Sequence, residues 1–409
     1  MYPVVEATTA LVFIMIWDAF FVARTVPALA LYERHWPILI AYLFLFAALL
    51  ASAGMDIESY TIHIQVLLSA LVVGVLAVAT AGFAPHPLGQ DGPIPPSICL
   101  IAIVMGTVWT LGFSIGRIVR QRSEAAHEAV EPMAEEPGDA GNLRTEPGEV
   151  APSLSDEPIA RPFQPIPILL LTAIVVGLAI WQMLAPDAGL RLSLPPWGQR
   201  AMIASAVLML VLVLASLETR AADQQIIVDL ENERSQARGM ILREFFTFIP
   251  ALVAGLVVWL LLRRGDWVSM GWPEAVHRLK VIAPWPDHLA AGGLALACAI
   301  LAASLGWAVR ILGTLAFGKE AFGTGDIYIL AAIGAVCGLW LVCISFLLAA
   351  MLALLGVLAT SFRKTSRAIP FGPWLALGAF VGLWVERPLV QYFRPIGWLV
   401  WSLLGGQRG

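Results

Sequence analysis

Residues 342–360 read VCISFLLAAMLALLGVLAT, an apolar run without a charged side chain. A run of roughly 18 or more such residues is long enough, as a helix, to cross the hydrocarbon core of a bilayer. Comparable runs recur near residues 7–27, 37–55, 62–83, 98–118, 165–184, 200–217, 245–262, 288–311, 326–341 and 373–391. Hydrocarbon offers no water to exposed backbone groups, so a spanning chain must be helical or a closed barrel. The alternation that marks a barrel strand is missing from these runs. The expectation is an all-α, polytopic integral membrane protein with roughly 10–11 transmembrane helices. Composition agrees: 59% of residues are hydrophobic and 13% charged, against about 45–50% and about 25% in ordinary soluble domains.

The exception to this pattern is the stretch 121–164, QRSEAAHEAVEPMAEEPGDAGNLRTEPGEVAPSLSDEPIARPFQ. It is rich in Pro, Glu and Gly and too poor in apolar residues to offset the entropy of ordering, which predicts a disordered acidic linker. The linker divides a four-helix membrane block, 1–120, from central membrane helices at 165–312 and a last region at 313–409. A charged segment at 218–244 is expected to be a solvated helix leading into the next span. The first apolar run lacks the basic flank and small-residue cleavage site of a removable signal peptide, and is expected to be a retained span. The C-terminal IGWLVWSLL suits an interface, where tryptophan is favoured. No basic patch interleaved with aromatics is present, so nucleic acid is not an expected partner. The lipid bilayer is.

Lys and Arg gather in GRIVRQR (116–122), in 220–243 and in SFRKTSR (361–367), which marks those loops as cytoplasmic. Counting spans from GRIVRQR puts 84–97 outside, and both 56–61 and 317–326 inside. Arg24, Arg34 and the pair in LLRRG (261–265) run against that count.

Ionisable groups in apolar spans are costly and point to function. The candidate acids are Asp18, Asp56, Glu58, Glu218 and Asp326. Asp326 follows Gly323-Thr324-Gly325 and opens a span. It can cap that helix against the positive end of its dipole, or serve chemistry where glycines let another backbone approach. Asp56, in AGMDIESYTIHI, ends the second span. Six expected spans separate it from Asp326, and an even number allows both carboxylates on one membrane face. Glu218, in LVLASLETR, also ends a span on that face and is the alternative first acid. Asp18 lies mid-span, with Arg24 two turns on, and is read as a structural pair. The four cysteines (Cys99, Cys298, Cys337, Cys343) are scattered through apolar segments and are read as buried structural thiols. They form neither a CxxC pair nor a Cys/His cluster, so no zinc site is expected.

Two apposed carboxylates cannot both ionise cheaply, so they share a proton. The ionised partner can take a proton from water while the protonated one polarises a peptide carbonyl. Such chemistry needs neither metal nor cofactor, and neither is expected here. At these residues the sequence resembles a known family. GTGDIYILAAIGAVCGLW (323–340), followed by AIPFGPWLALGAFVGL (368–383), is similar to the C-terminal half of type IV prepilin peptidases, membrane aspartyl proteases of the GxGD class. Gly323, Gly325 and Asp326 match the GxGD turn. Pro370, Phe371, Gly372 and Pro373 match the family's later PFGP turn. MDIESYTIHI matches the stretch IDLExxxIPD, with Asp56 at the catalytic aspartate, Glu58 at the second acid and Ile62 in register.

The sequence departs from the pattern at His63, where the family has proline, and at Ile64, where it has an acid. The cysteine-rich loop linked in many members to N-methylation is absent. The resemblance implies an endopeptidase that cuts leader peptides from pilin-like or pseudopilin precursors at the cytoplasmic face of the bacterial inner membrane. Asp56 and Asp326 would be its catalytic pair, with Glu58, the two glycines and the PFGP turn in support. A second reading, carried by His63 and Ile64, is an inactive membrane scaffold of a pilus or type II secretion assembly. A third is a transporter using Asp18 and Asp326; the lack of repeat symmetry between halves counts against it.

Overall fold

The computed structural model describes residues 2–22, 32–59, 62–82, 94–112, 237–265, 270–282, 285–318, 321–360 and 371–385. The expected linker 121–164, the spans 165–184 and 200–217, Arg24, Glu218, Pro370 and IGWLVWSLL lie outside these residues. Among the described residues all regular structure is helical. Helix α1 is Tyr2–Trp17 and ends in a wider π-helical turn, Asp18–Val22. Then come α2 (Tyr32–Ser59), α3 (Ile64–Ala81) and α4 (Pro96–Gly112). Beyond the central gap follow α5 (Ala237–Arg264), α6 (Trp272–Ile282), α7 (Pro286–Phe317), α8 (Thr324–Cys337), α9 (Leu339–Thr360) and α10 (Gly372–Val385).

Five of these helices contain stretches long and apolar enough to cross a membrane: Trp36–Asp56, Ile64–Ala81, Glu244–Arg264, Pro286–Phe317 and Leu339–Gly356. The chain is an all-α, polytopic membrane protein. Many large apolar side chains on these helices point outward, among them Leu76, Phe246 and Leu354, as a lipid-facing surface requires. Cys99, Cys298 and Cys337 are buried, but Cys343 is exposed on the outer face of α9 and is not the core thiol that its apolar neighbours suggest. Helix α6 was not legible from hydropathy. It is a short amphipathic helix with an exposed Glu274–Arg278 ion pair at 2.8 Å, tied down where the Trp272 indole N–H donates to the Ile94 carbonyl at 3.0 Å.

Helix α8 is the centre of the packing. From Ile329 to Cys337 every residue is buried, as are Asp326 and Ile327 near its start. Its partners close in because small residues line the contacts, which is how helices associate without a hydrophobic drive in lipid. A methyl group added at Gly334 would lie 2.7 Å from the Cys298 carbonyl oxygen and 2.8 Å from the Ala302 Cβ, both on α7. On the opposite side, one added at Gly74 of α3 would meet Val336 at 2.5 Å. Fourteen residues make α8 only about 21 Å long, shorter than a bilayer core.

The expected boundary between the two last-but-one spans, at 341/342, moves to Gly338. This residue has φ 85° and ψ 170°, a conformation side chains resist, and its N–H donates to the Gly334 carbonyl at 3.0 Å. Hydropathy runs unbroken across this point, so only backbone chemistry marks it. The chain turns there and α9 runs back past α8. Helix α9 then packs on α10, where Gly378 lies against the Ser345 carbonyl and Gly382 against Leu341.

Substitution of two helical glycines separates packing from propensity. Gly334→Ala forces backbone to move and is expected to cost about 1–3 kcal/mol by overpacking. Nothing lies within 4 Å of a Cβ at Gly54, so Gly54→Ala is expected to be neutral or to gain about 0.5–1 kcal/mol. Thermal unfolding in detergent reads both; equal melting temperatures for the two variants would contradict this account of α8.

Candidate active site

Three short segments meet at one place: the end of α2 with the link to α3, the turn before α8, and the start of α10. Asp56 sits in the last turn of α2 and is 8% exposed; Asp326 sits in the first turn of α8 and is 6% exposed. For Asp326 the local cause is visible. Gly323 is the N-cap, extended at φ −70° and ψ 147°, and contributes no side chain to the cap. The Asp326 carboxylate fills that room, since a Cβ at Gly323 would lie 3.2 Å from Asp326 Oδ2. There it also faces the positive end of the α8 dipole.

Gly372 is the point on which both carboxylates converge. Its backbone N–H donates to Asp56 Oδ2 at 3.2 Å. A Cβ built on it would be 2.7 Å from Asp56 Oδ2 and 3.4 Å from Asp326 Oδ1. The separation of those two oxygens therefore cannot exceed the sum of these distances. Residues 316 apart in sequence are joined by a backbone hydrogen bond at a buried position. Pro373 follows in the first turn of α10, where a missing N–H costs no helical hydrogen bond.

The other contacts lock these segments together. Ile62 lies on Gly325, whose added Cβ would meet Ile62 Cδ1 at 2.8 Å and Cβ at 2.9 Å. The rings of Phe322, Phe346 and Phe371 form a triangle, with centroids 5.9 Å (322–346), 5.6 Å (322–371) and 6.0 Å (346–371) apart. Phe322 precedes the GTGD turn and Phe371 precedes Gly372, so the triangle holds those two turns beside each other.

Of the residues singled out from sequence, Asp56, Asp326, Gly323, Gly325, Phe371, Gly372 and Pro373 all fall in this cluster. Glu58 belongs to the last turn of α2. His63 and Ile64 are exposed at the start of α3. Asp18 lies at the π-helical turn after α1. Phe346 and Arg310 were not foreseen. Arg310 donates to the Phe322 carbonyl at 2.8 Å; its only sequence signal was a lone cation near the end of an apolar run. Among the described residues no three His, Cys, Asp or Glu side chains group as metal ligands.

Sequence comparison gives the same family as these motifs. The chain is 38% identical over 108 residues to a prepilin leader peptidase/N-methyltransferase of Xanthomonas campestris pv. campestris, covering 24% of this chain and 37% of that protein. With the protein of the same name from Pseudomonas aeruginosa it shares 35% over 95 residues, 22% of this chain and 33% of the other. With that of Escherichia coli K12 it shares 46% over 68 residues, 16% and 30% respectively. The chain thus spans about a third of the length of the curated relatives it matches. No family model and no solved structure matches it. Through that part of its length, this polytopic membrane protein is a relative of the type IV prepilin peptidases.

Proposed function

We propose that this chain is a membrane aspartyl endopeptidase that removes leader peptides from type IV prepilin-like precursors at the cytoplasmic face of the bacterial inner membrane. The observation that carries the proposal is the convergence of the Asp56 and Asp326 carboxylates on Gly372. The names of its relatives support the choice of a prepilin as substrate. Only the peptidase half of those names is proposed here, because the sequence has no cysteine-rich loop.

In the proposed reaction the pair holds one proton. The ionised carboxylate takes a proton from a water, whose oxygen attacks the scissile peptide carbonyl. The protonated carboxylate donates a hydrogen bond to that carbonyl and stabilises the charge that develops on its oxygen. Collapse of the tetrahedral adduct breaks the C–N bond, and the amine leaves with the proton taken from water. Either aspartate can carry the shared proton. The Gly372 N–H orients Asp56, and Gly323 leaves room for Asp326.

Co-expression with a pilin-like precursor tests the pair. Wild type is expected to yield mature product, whereas Asp56→Asn and Asp326→Asn lose cleavage by about 10²–10⁴-fold or more. Cleavage by either variant at the wild-type rate would remove that residue from the mechanism. Intact assembly without processing of any precursor would favour the scaffold. The cleavage rate is expected to follow a bell-shaped pH profile, falling on the acid side as both carboxylates become protonated and on the alkaline side as both ionise. A rate that keeps rising with pH would contradict a shared proton. Gly372→Ala places a methyl against both carboxylates and is expected to lower the rate by about 10²-fold while the protein stays folded. A Gly372→Ala enzyme with wild-type turnover would show that the close approach has no role.

A further inference from the structure

Beside the carboxylates, the structure builds a charged anchor that the reaction itself does not use. Arg310, near the end of α7, is 8% exposed. Its Nε and Nη2 reach Glu244 Oε2 and Oε1 at 3.3 and 3.4 Å. Its Nη1 donates to the Phe322 carbonyl at 2.8 Å, and its guanidinium lies 5.6 Å from the Trp307 ring centroid. Glu244 is on α5, one turn before Phe248. Phe248 stacks on Trp109 of α4 at 4.9 Å, and both rings meet Trp307 edge-on at 5.5 Å. The planar fork of arginine suits this task, since it can grip a carboxylate and a carbonyl at fixed angles.

The geometry of the turn explains why an anchor is needed. Phe322 stands immediately before Gly323-Thr324-Gly325-Asp326. Two of the three residues between Phe322 and the aspartate are glycine, which restrains the backbone least. The free energy holding that turn must come from outside it. Arg310 supplies a contact to its first carbonyl, and the Thr314 hydroxyl accepts the Ala321 N–H at 3.2 Å just upstream.

We propose that Arg310 is a positioning residue for Asp326, pinning the turn through the Phe322 carbonyl, with Glu244 holding the arginine in place; this rests on the proteolytic reading above. It assigns α5 a task in the site, although the contacts described above for the carboxylate pair come from α2, α8 and α10. It also gives a reason for a buried cation in an apolar span, which otherwise costs stability.

The test uses full-length protein in detergent or proteoliposomes with a purified precursor. Arg310→Met is expected to lower kcat by about 10–100-fold, as a displaced catalytic group does, with KM unchanged. In a Cys343→Ser background, a spin label at Thr324→Cys, the exposed first residue of α8, is expected to gain mobility when Arg310→Met is added, with or without substrate. A folded Arg310→Met protein with wild-type kcat, or with unchanged label mobility, overturns the proposal. Where Arg310→Met does not fold, Arg310→Lys and Glu244→Gln carry the test. Both are expected to show intermediate losses of kcat, and wild-type kcat in both overturns it. The paired experiment separates the two readings. If Asp56→Asn and Asp326→Asn abolish cleavage while Arg310→Met leaves it intact, the anchor alone is wrong. If the asparagine variants still cleave, the carboxylate mechanism fails, and label mobility still decides whether Arg310 holds the turn.

Discussion

Two buried carboxylates facing one backbone glycine are an unfavourable arrangement, and the surrounding structure is organised to hold it. Removing a carboxylate from water costs several kcal/mol after relaxation, and bringing a second beside it adds repulsion. Neither cost is met by the acids themselves. It is offset by the helices that carry them, and above all by α8, which α7 approaches closely at Gly334 and α3 at its own Gly74. The close packing and the polar site are therefore one construction. Gly334 matters to the site although it lies eight residues along α8 from Asp326.

The site is closed by contacts that run in a ring. Ile62, just past α2, sits on Gly325 of the GTGD turn. Phe322, at the head of that turn, packs on Phe371. Gly372, the next residue, returns to the first segment by donating its N–H to Asp56. Each of the three segments thus touches the other two, by one aliphatic contact, one aromatic contact and one hydrogen bond. Contacts linked in this way are not additive, because loosening one side relaxes the partners of the other two. No single segment carries enough local preference to fix the carboxylates, and the ring does so collectively.

The sequence reveals the site unevenly, for physical reasons. Asp326 is legible because an acid after two glycines at the mouth of an apolar run conflicts with its surroundings. Asp56 is less so: an acid at the end of a span has an ordinary explanation, and parity of span counts permits a meeting without requiring one. Gly372 stands out only as part of a motif; the reason for its missing side chain, two carboxylates within reach, exists only in three dimensions. Gly338 hides in a continuous apolar stretch, where hydropathy cannot register a backbone reversal. Arg310 hides differently, because a lone arginine near a span end reads as an interfacial anchor until Glu244 and the Phe322 carbonyl stand around it. For the all-α membrane fold, by contrast, hydropathy alone is sufficient, since lipid leaves the backbone so few options.

The two aspartates are held by different means, and the difference has a consequence for how such a site can work. Asp326 belongs to a helix buried nearly all round, so its position is set by packing along α8 together with the contacts that hold the turn before it. Asp56 belongs to the last turn of a helix, and what joins it to the pair is a hydrogen bond from α10. The distance between the carboxylates therefore depends on where the start of α10 sits relative to α8. That relation is governed by the phenylalanine triangle, whose third member, Phe346, comes from α9. Rings in such a triangle can slide with little loss of contact, whereas Gly334 on the Cys298 carbonyl cannot. The fold thus places its rigid contacts beneath Asp326 and its more compliant ones between the GTGD turn and Gly372. In the proposed reaction an extended peptide would enter at the second place, and the first would stay still while it does.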